Sequence, residues 1–215
     1  WRGWWDFGCG AIGDMACHIM DPVFWSLKLI EAPNYSVEVV SEDGTTKQCA
    51  PNKSVIKFQF PARGDMSPVD VYWYDGANKP ARPEGVPEDQ KLGDGDNGSM
   101  LIGTEGVLTA GEYGGAPRLL PDERMADYTM PPETIPRVRG QNPHRDWIKA
   151  CKTGEPAASN FDYASRLTEV ANMGNVALLA GKRIEWDVAK FCFTNDEEAN
   201  ALLTKEYRKG WELPV

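Results

Sequence analysis

Three stretches with a two-residue period follow one another, over residues 35–40, 54–60 and 69–74, with no helical segment between them. Each is rich in β-branched or aromatic residues. In the second, Ile56, Phe58 and Phe60 alternate with Val55, Lys57 and Gln59, the pattern of a strand with one face buried. Helical periodicity returns in the last third of the chain. Strands in succession followed by helices in succession predict an α+β fold with an open, mainly antiparallel sheet flanked by helices, rather than a doubly wound parallel sheet. The 215 residues fit one large domain or two small ones, and eight Trp, seven Tyr and seven Phe supply core anchors.

The remaining elements follow from local signals. A first helix is predicted over 13–29, with Ala16, Met20, Val23 and Leu27 on one apolar stripe. Pro22 divides it, and Asp21 is placed to cap the second half. Residues 76–98, rich in Pro, Gly and Asp, read as a long surface loop, and 100–102 with 106–109 as a short hairpin. Asn142 and Pro143 open a helix that Gly154 stops, with Trp147, Ile148 and Cys151 facing the core. A second helix covers 163–180, with Leu167, Val170, Ala171, Gly174 and Leu178 in phase to pack and Gly181 ending it. Residues 184–186 form a short strand, and Asn195 with Glu198 is a variant capping box opening a last helix that ends near Tyr207.

Charge and cysteine usage narrow the function classes. With 32 acidic and 23 basic side chains the formal net charge is -9, which argues against a nucleic-acid partner. No apolar run approaches the roughly 20 residues a membrane-spanning helix requires. The five cysteines are widely spaced without a CxxC pair, so they read as buried free thiols rather than a disulfide framework or zinc site, which favours a reducing compartment. The start at Trp1, without Met and with Trp4 and Trp5 close behind, reads as a cut in a longer protein. The compartment therefore stays open, with cytoplasm as the default.

Two constellations bear on chemistry. Gly8, Gly10 and Gly13 have the GxGxxG spacing of a dinucleotide-binding turn, but no buried strand feeds them and no βαβ unit follows, so they read instead as a turn of close backbone approach. Asp14, His18 and Asp21, at i, i+4 and i+7, project within about 60° of one another on a helix, opposite the apolar stripe. A carboxylate one turn from an imidazole can hold its tautomer, as a general base for alcohol oxidation requires. A solvated polar face is the plain alternative, with Asp21 a cap. Only His18 and His144 are present and there is no HExxH, so no zinc centre is indicated, while a carboxylate-rich magnesium or calcium site stays open. The run Asp94 to Gly98 resembles a calcium loop superficially but lacks the remaining ligands, so it reads as solvated loop. His144, at a helix start, either reaches a pocket or lies on the surface.

The segment from Gly10 to Asp21 resembles the G-x-x-x-D-x-x-x-H-x-x-D motif that opens the C-terminal domain of Gfo/Idh/MocA-type oxidoreductases. Asn160-Phe161-Asp162-Tyr163-Ala164, the run from Gly181 to Asp187, Thr194 to Asn200 and Tyr207 to Trp211 are similar to later parts of that domain, and Trp1 to Gly8 to the opening of one subgroup. The resemblance implies that residues 1–215 are a single C-terminal, substrate-binding and oligomerising domain of dihydrodipicolinate-reductase-like fold. It implies a Rossmann half, outside this sequence, that binds NAD or NADP and contributes a lysine; the chain alone is expected to bind no cofactor. Family chemistry would move a hydride between the nicotinamide and a sugar, polyol or related alcohol. His18 would then be the acid/base and Asp14 would orient substrate or imidazole. Arg2, Trp4 and Trp5 would be sugar contacts or interdomain packing, and Asp21 and His144 further substrate contacts. A homo-oligomer through the sheet face is also implied. Two other functions stay open: an NAD-dependent glycoside hydrolase of the same family, and a non-catalytic sugar-binding or assembly module.

Overall fold

The structure, a computed structural model, describes residues 1–213. In chain order the elements are α1 (Gly10–Ile19), α2 (Asp21–Ser26), β1 (Asn34–Asp43), β2 (Lys53–Phe60), β3 (Val69–Tyr74), β4 (Ser99–Gly103), β5 (Gly106–Ala110), β6 (Arg118–Leu120), α3 (Pro143–Thr153), α4 (Phe161–Ala180), β7 (Ile184–Asp187), β8 (Cys192–Phe193) and α5 (Glu197–Asn200). They fall into two compact units, residues 1–82 with 169–213, and residues 83–168. The open antiparallel sheet with flanking helices is the α+β architecture the succession of periodicities predicts.

The first unit is built on a five-stranded sheet in the order β3-β2-β1-β7-β8, every neighbouring pair antiparallel. The alternation in β2 has its expected meaning: Ile56, Phe58 and Phe60 are buried, while Val55, Lys57 and Gln59 lie half-buried on the other face. Register aligns Val71, Phe58, Val37 and Ile184 across four strands, all buried. Against this unit's core lies α4, buried along residues 170, 171, 173 and 176–178. Gly174 makes the packing close. A Cβ there would lie 2.6 Å from Ile12 of α1 and 3.4 Å from both Ile56 and Phe58, so helix and sheet approach through the space a side chain would fill. On the opposite sheet face Lys57 pairs with Asp70 at 3.0 Å and lies 5.6 Å from the Tyr72 ring centroid, and Arg183 donates to Gln59.

Several local expectations shift. The split at Pro22 is real, and Ala16, Met20 and Val23 are buried, but Met20, itself helical, takes the N-cap position of α2 and Asp21 is already inside that helix. At the chain's other end Asp196, not Asn195, caps α5, accepting from the Glu198 N–H at 3.1 Å. The Asn195 amide is drawn to β7 instead, accepting from Glu185 N–H and donating to the Arg183 carbonyl. Regular helix stops at Asn200, and a 3-10 turn carries the chain only to Leu203, short of Tyr207.

In the second unit β4, β5 and β6 form an antiparallel sheet, and the loop before it is pinned rather than loose. Val86 is buried with Val107 and Leu120, and Leu92 and Met100 pack beside them. The fully buried Thr109 hydroxyl accepts from Gly93 N–H at 2.7 Å and donates to the Ser99 carbonyl. Helix α3 starts and stops as its residues dictate: Asn142 Oδ1 accepts from Arg145 N–H, and Gly154 closes it at φ 74°. Replacing Asn142 by Ala should cost about 1 kcal/mol, read as lower helicity of this segment in hydrogen exchange. The expected core contact is not made, because Trp147, Ile148 and Cys151 are exposed and no α3 residue is buried. Periodicity places residues on one helix face, but burial needs another element to cover that face. The cysteines are free as expected, yet only partly buried, and Cys151 is exposed.

Candidate functional site

The site is assembled on α1, and the chain before it supplies one wall. Residues 3–5 run along 48–50: Ala50 N–H donates to the Gly3 carbonyl, Trp5 N–H to the Gln48 carbonyl, and Trp4 bridges Cys49. The Trp5 indole N–H donates to the Thr46 carbonyl at 2.9 Å, so Trp5 is a fastening of this wall, while Trp4 is half exposed. Two turns bring the chain to α1, with Gly8 N–H donating to the Trp4 carbonyl and Gly10 N–H to the Arg2 carbonyl. A Cβ on Gly8 would collide with the Arg2 backbone, which explains that glycine by close approach.

Along α1, Ile12 and Ala16 point into the core, and Asp14 and His18 occupy the exposed face one turn apart. Arg2 reaches over to Asp14, Nη1 to Oδ2 2.7 Å. With side-chain exposures of 68% and 37% the pair is screened and contributes at most about 1 kcal/mol to stability; its significance is placement. A pocket of about 250 Å³ opens between Arg2, Asp14, Gly10, Ala11, Ala50 and Pro51. Asp21 follows in the first turn of α2, half-buried. The structure thus brings Arg2 and Asp14 together beside His18, and keeps Trp4 and Trp5 in the adjoining wall. His144 is exposed on α3, in the other unit.

The Cys9 thiol, next to this site, is pushed up in pKa by burial first and then by the charge of Asp14, which disfavours the thiolate. The glycines do not suit a dinucleotide. A Rossmann turn needs a buried strand delivering the chain to the helix, and residues 1–9 form turns and a single bridge. Asn175, whose side chain donates to the Cys9 carbonyl at 2.7 Å, belongs to the site's foundation and was not marked by any pattern in the sequence.

A larger groove of about 520 Å³ lies in the second unit, but its Arg118 and Asp94 are already engaged. Arg118 donates to the carbonyls of Lys91 and Gly93 and to Asp122. Asp94, the head of the calcium-loop resemblance, accepts from the N–H groups of Asp96, Asn97 and Glu112. These donors take three of the carboxylate's roughly four lone-pair sites, and no group of three or more metal-ligating side chains occurs among the described residues. The same bonds, led by that from Asn97, hold the Asp94 carboxyl below its ordinary pKa. A depressed folded value contributes stability above the unfolded pKa of about 3.9 that is lost as pH falls through the folded value. Protection of the Asn97 amide in hydrogen exchange should therefore persist at pH 5 and fade only below about 3.9; fading already at pH 5 would refute the assignment.

Comparison with known proteins adds a family. No helix among the described residues is long and apolar enough to cross a membrane, and no curated protein matches the chain. Residues 124–213, from before α3 through α4, β7, β8 and α5, match the family model described as oxidoreductase family, C-terminal alpha/beta domain, of the Gfo/Idh/MocA group. Asp14 and His18 lie ahead of the matched stretch. Over residues 124–213 the chain is therefore similar to the C-terminal alpha/beta domain of the Gfo/Idh/MocA oxidoreductase family, whose members are typically NAD(P)-dependent.

Proposed function

We propose that residues 1–215 are one substrate-binding and oligomerising domain of an NAD(P)-dependent oxidoreductase acting on a sugar, polyol or related alcohol. The observation that carries the reading is the Arg2–Asp14 pair at the mouth of a small pocket, one helical turn from His18. At about 250 Å³ the pocket is below the roughly 300–1,000 Å³ of sites for drug-sized ligands, which suits a small polar molecule. Arg2 has donors and Asp14 acceptors to spare for hydroxyls, and the half-exposed Trp4 offers an aromatic face to sugar C–H groups. His18 takes or returns the hydroxyl proton. Asp21 accepts from a further hydroxyl. The cofactor, whose chemistry is to accept or supply the hydride, would be held by a part of the enzyme outside this sequence, since the glycines here do not form its turn. Oligomerisation through the open sheet face is supported by the exposed Tyr72 and by a charge network on that face that is already paired.

The test is to incubate the enzyme that carries this chain with sugars, polyols and aryl glycosides, following NADH absorbance and aglycone release together. NADH formation with an unmodified sugar or polyol is the expected result. Aglycone release without net NADH would make it a hydrolase, and neither signal a binding module. Micromolar NAD binding to these 215 residues in calorimetry would overturn the assignment of the cofactor to another part.

A further inference from the structure

Gly10 and Gly13 are left without a role once the dinucleotide turn is set aside, and they adjoin a second unexplained feature. Asn175 on α4 is 7% exposed, and its Oδ1 has no hydrogen-bond partner among the described residues. A buried acceptor left unpaired destabilises a fold, so an apolar side chain of similar size would serve the core better. What the amide provides is a donor: Nδ2 bonds the carbonyl of Cys9, the residue that precedes α1, at 2.7 Å. That helix has no side-chain cap of its own. Gly13 makes the room, while Gly10 is required by its φ of 67° and by the approach of Ala50. A Cβ on Gly13 would lie 3.3 Å from Nδ2 and collide with the Cys9 side chain; one on Gly10 would lie 2.7 Å from Ala50 Cβ and 3.9 Å from Oδ1.

We infer that Asn175 is a positioning residue, seated against Gly13, that sets Arg2 on Asp14. The coupling runs through three bonds in series: Asn175 Nδ2 to the Cys9 carbonyl, Gly10 N–H to the Arg2 carbonyl at 3.0 Å, and Arg2 Nη1 to Asp14 Oδ2 at 2.7 Å. The catalytic consequence rests on the proposed function, whereas the coupling is a property of the first unit itself. Stability and positioning can be separated here. The Cys9 carbonyl also accepts from Gly13 N–H at 3.2 Å, so an Asn175→Leu substitution strands no carbonyl and removes the unpaired acceptor.

The experiment uses this chain, nitrogen-15 labelled, as the parent and as the Asn175→Leu and Asn175→Ala variants. Asp14→Asn marks where the Arg2 Nε–H resonance lies once its partner's charge is gone. The expected result is an Asn175→Leu melting temperature within about 4 °C of the parent, with the Arg2 resonance moved to the Asp14→Asn position. An unmoved Arg2 resonance in a folded Asn175→Leu chain would overturn the proposal. If Asn175→Leu does not fold, Asn175→Ala gives the same reading, and failure of both to fold makes Asn175 scaffold and overturns it equally. Failure of the functional reading looks different: turnover indifferent to His18→Ala, with the Arg2 resonance still governed by Asn175.

Discussion

Replacing His18 by Ala in the enzyme that carries this chain should lower turnover about 100- to 10,000-fold, the usual cost of removing a general base. That range corresponds to about 2.7 to 5.5 kcal/mol of transition-state stabilisation. Placement on α1 is what makes the expectation specific. His18 is exposed one turn beyond Asp14, whose carboxylate is held by Arg2, while Ile12 and Ala16 fix the opposite face in the core. Removing an exposed imidazole disturbs little packing, so the variant should melt within a few degrees of the parent and show the loss in turnover. A rise in KM with turnover unchanged would make His18 a binding group only. Unchanged turnover and KM would remove it from the mechanism and return the Asp14–His18 face to a solvated helix surface.

The largest stability effect should come from Trp186→Ala, at about 3–5 kcal/mol, a sizeable fraction of a typical total of roughly 5–15 kcal/mol. Trp186 is 1% exposed in β7, with Phe193 and Phe191 edge-on at 4.9 and 5.0 Å between ring centroids. Its indole N–H donates to Glu169 Oε1 at 2.9 Å, and the Tyr35 hydroxyl donates to the same oxygen at 3.1 Å, tying α4 to two strands. Truncation leaves a cavity and takes one donor from a half-buried carboxylate. Urea unfolding should show a lower midpoint with an unchanged m value. Trp186→Phe should cost clearly less, because it restores most of the volume and forfeits only the N–H. A loss below about 1 kcal/mol for the Ala variant would mean that β7 does not carry the core.

How far the residues alone predicted this molecule depended on how far their partners lie along the chain. β1 to β3 were legible because their alternation is a property of consecutive residues, and so was the Asn142 cap, whose partner is Arg145. The Asn195 cap was misread by one residue for the opposite reason: β7, ten residues back, claims that amide, and Asp196 takes over the helix. β6 went unread, since three residues are too short to show alternation. The apolar stripe of α3 was read correctly as a stripe and wrongly as core, because nothing in a stripe states what covers it.

The candidate site divides the same way. Asp14 and His18 share a helix face by spacing alone, and that was available from the residues. Arg2 on Asp14, the wall formed by residues 46–51 and the bond from Asn175 to Cys9, 166 positions apart, were not. By itself the sequence determined the kinds of elements, their order and the polar face of α1, since these depend on backbone preferences and periodicity within a few residues. Only the tertiary structure decided which face is covered, which cap wins and what packs against Gly10 and Gly13, because each depends on close approach between segments far apart in the chain.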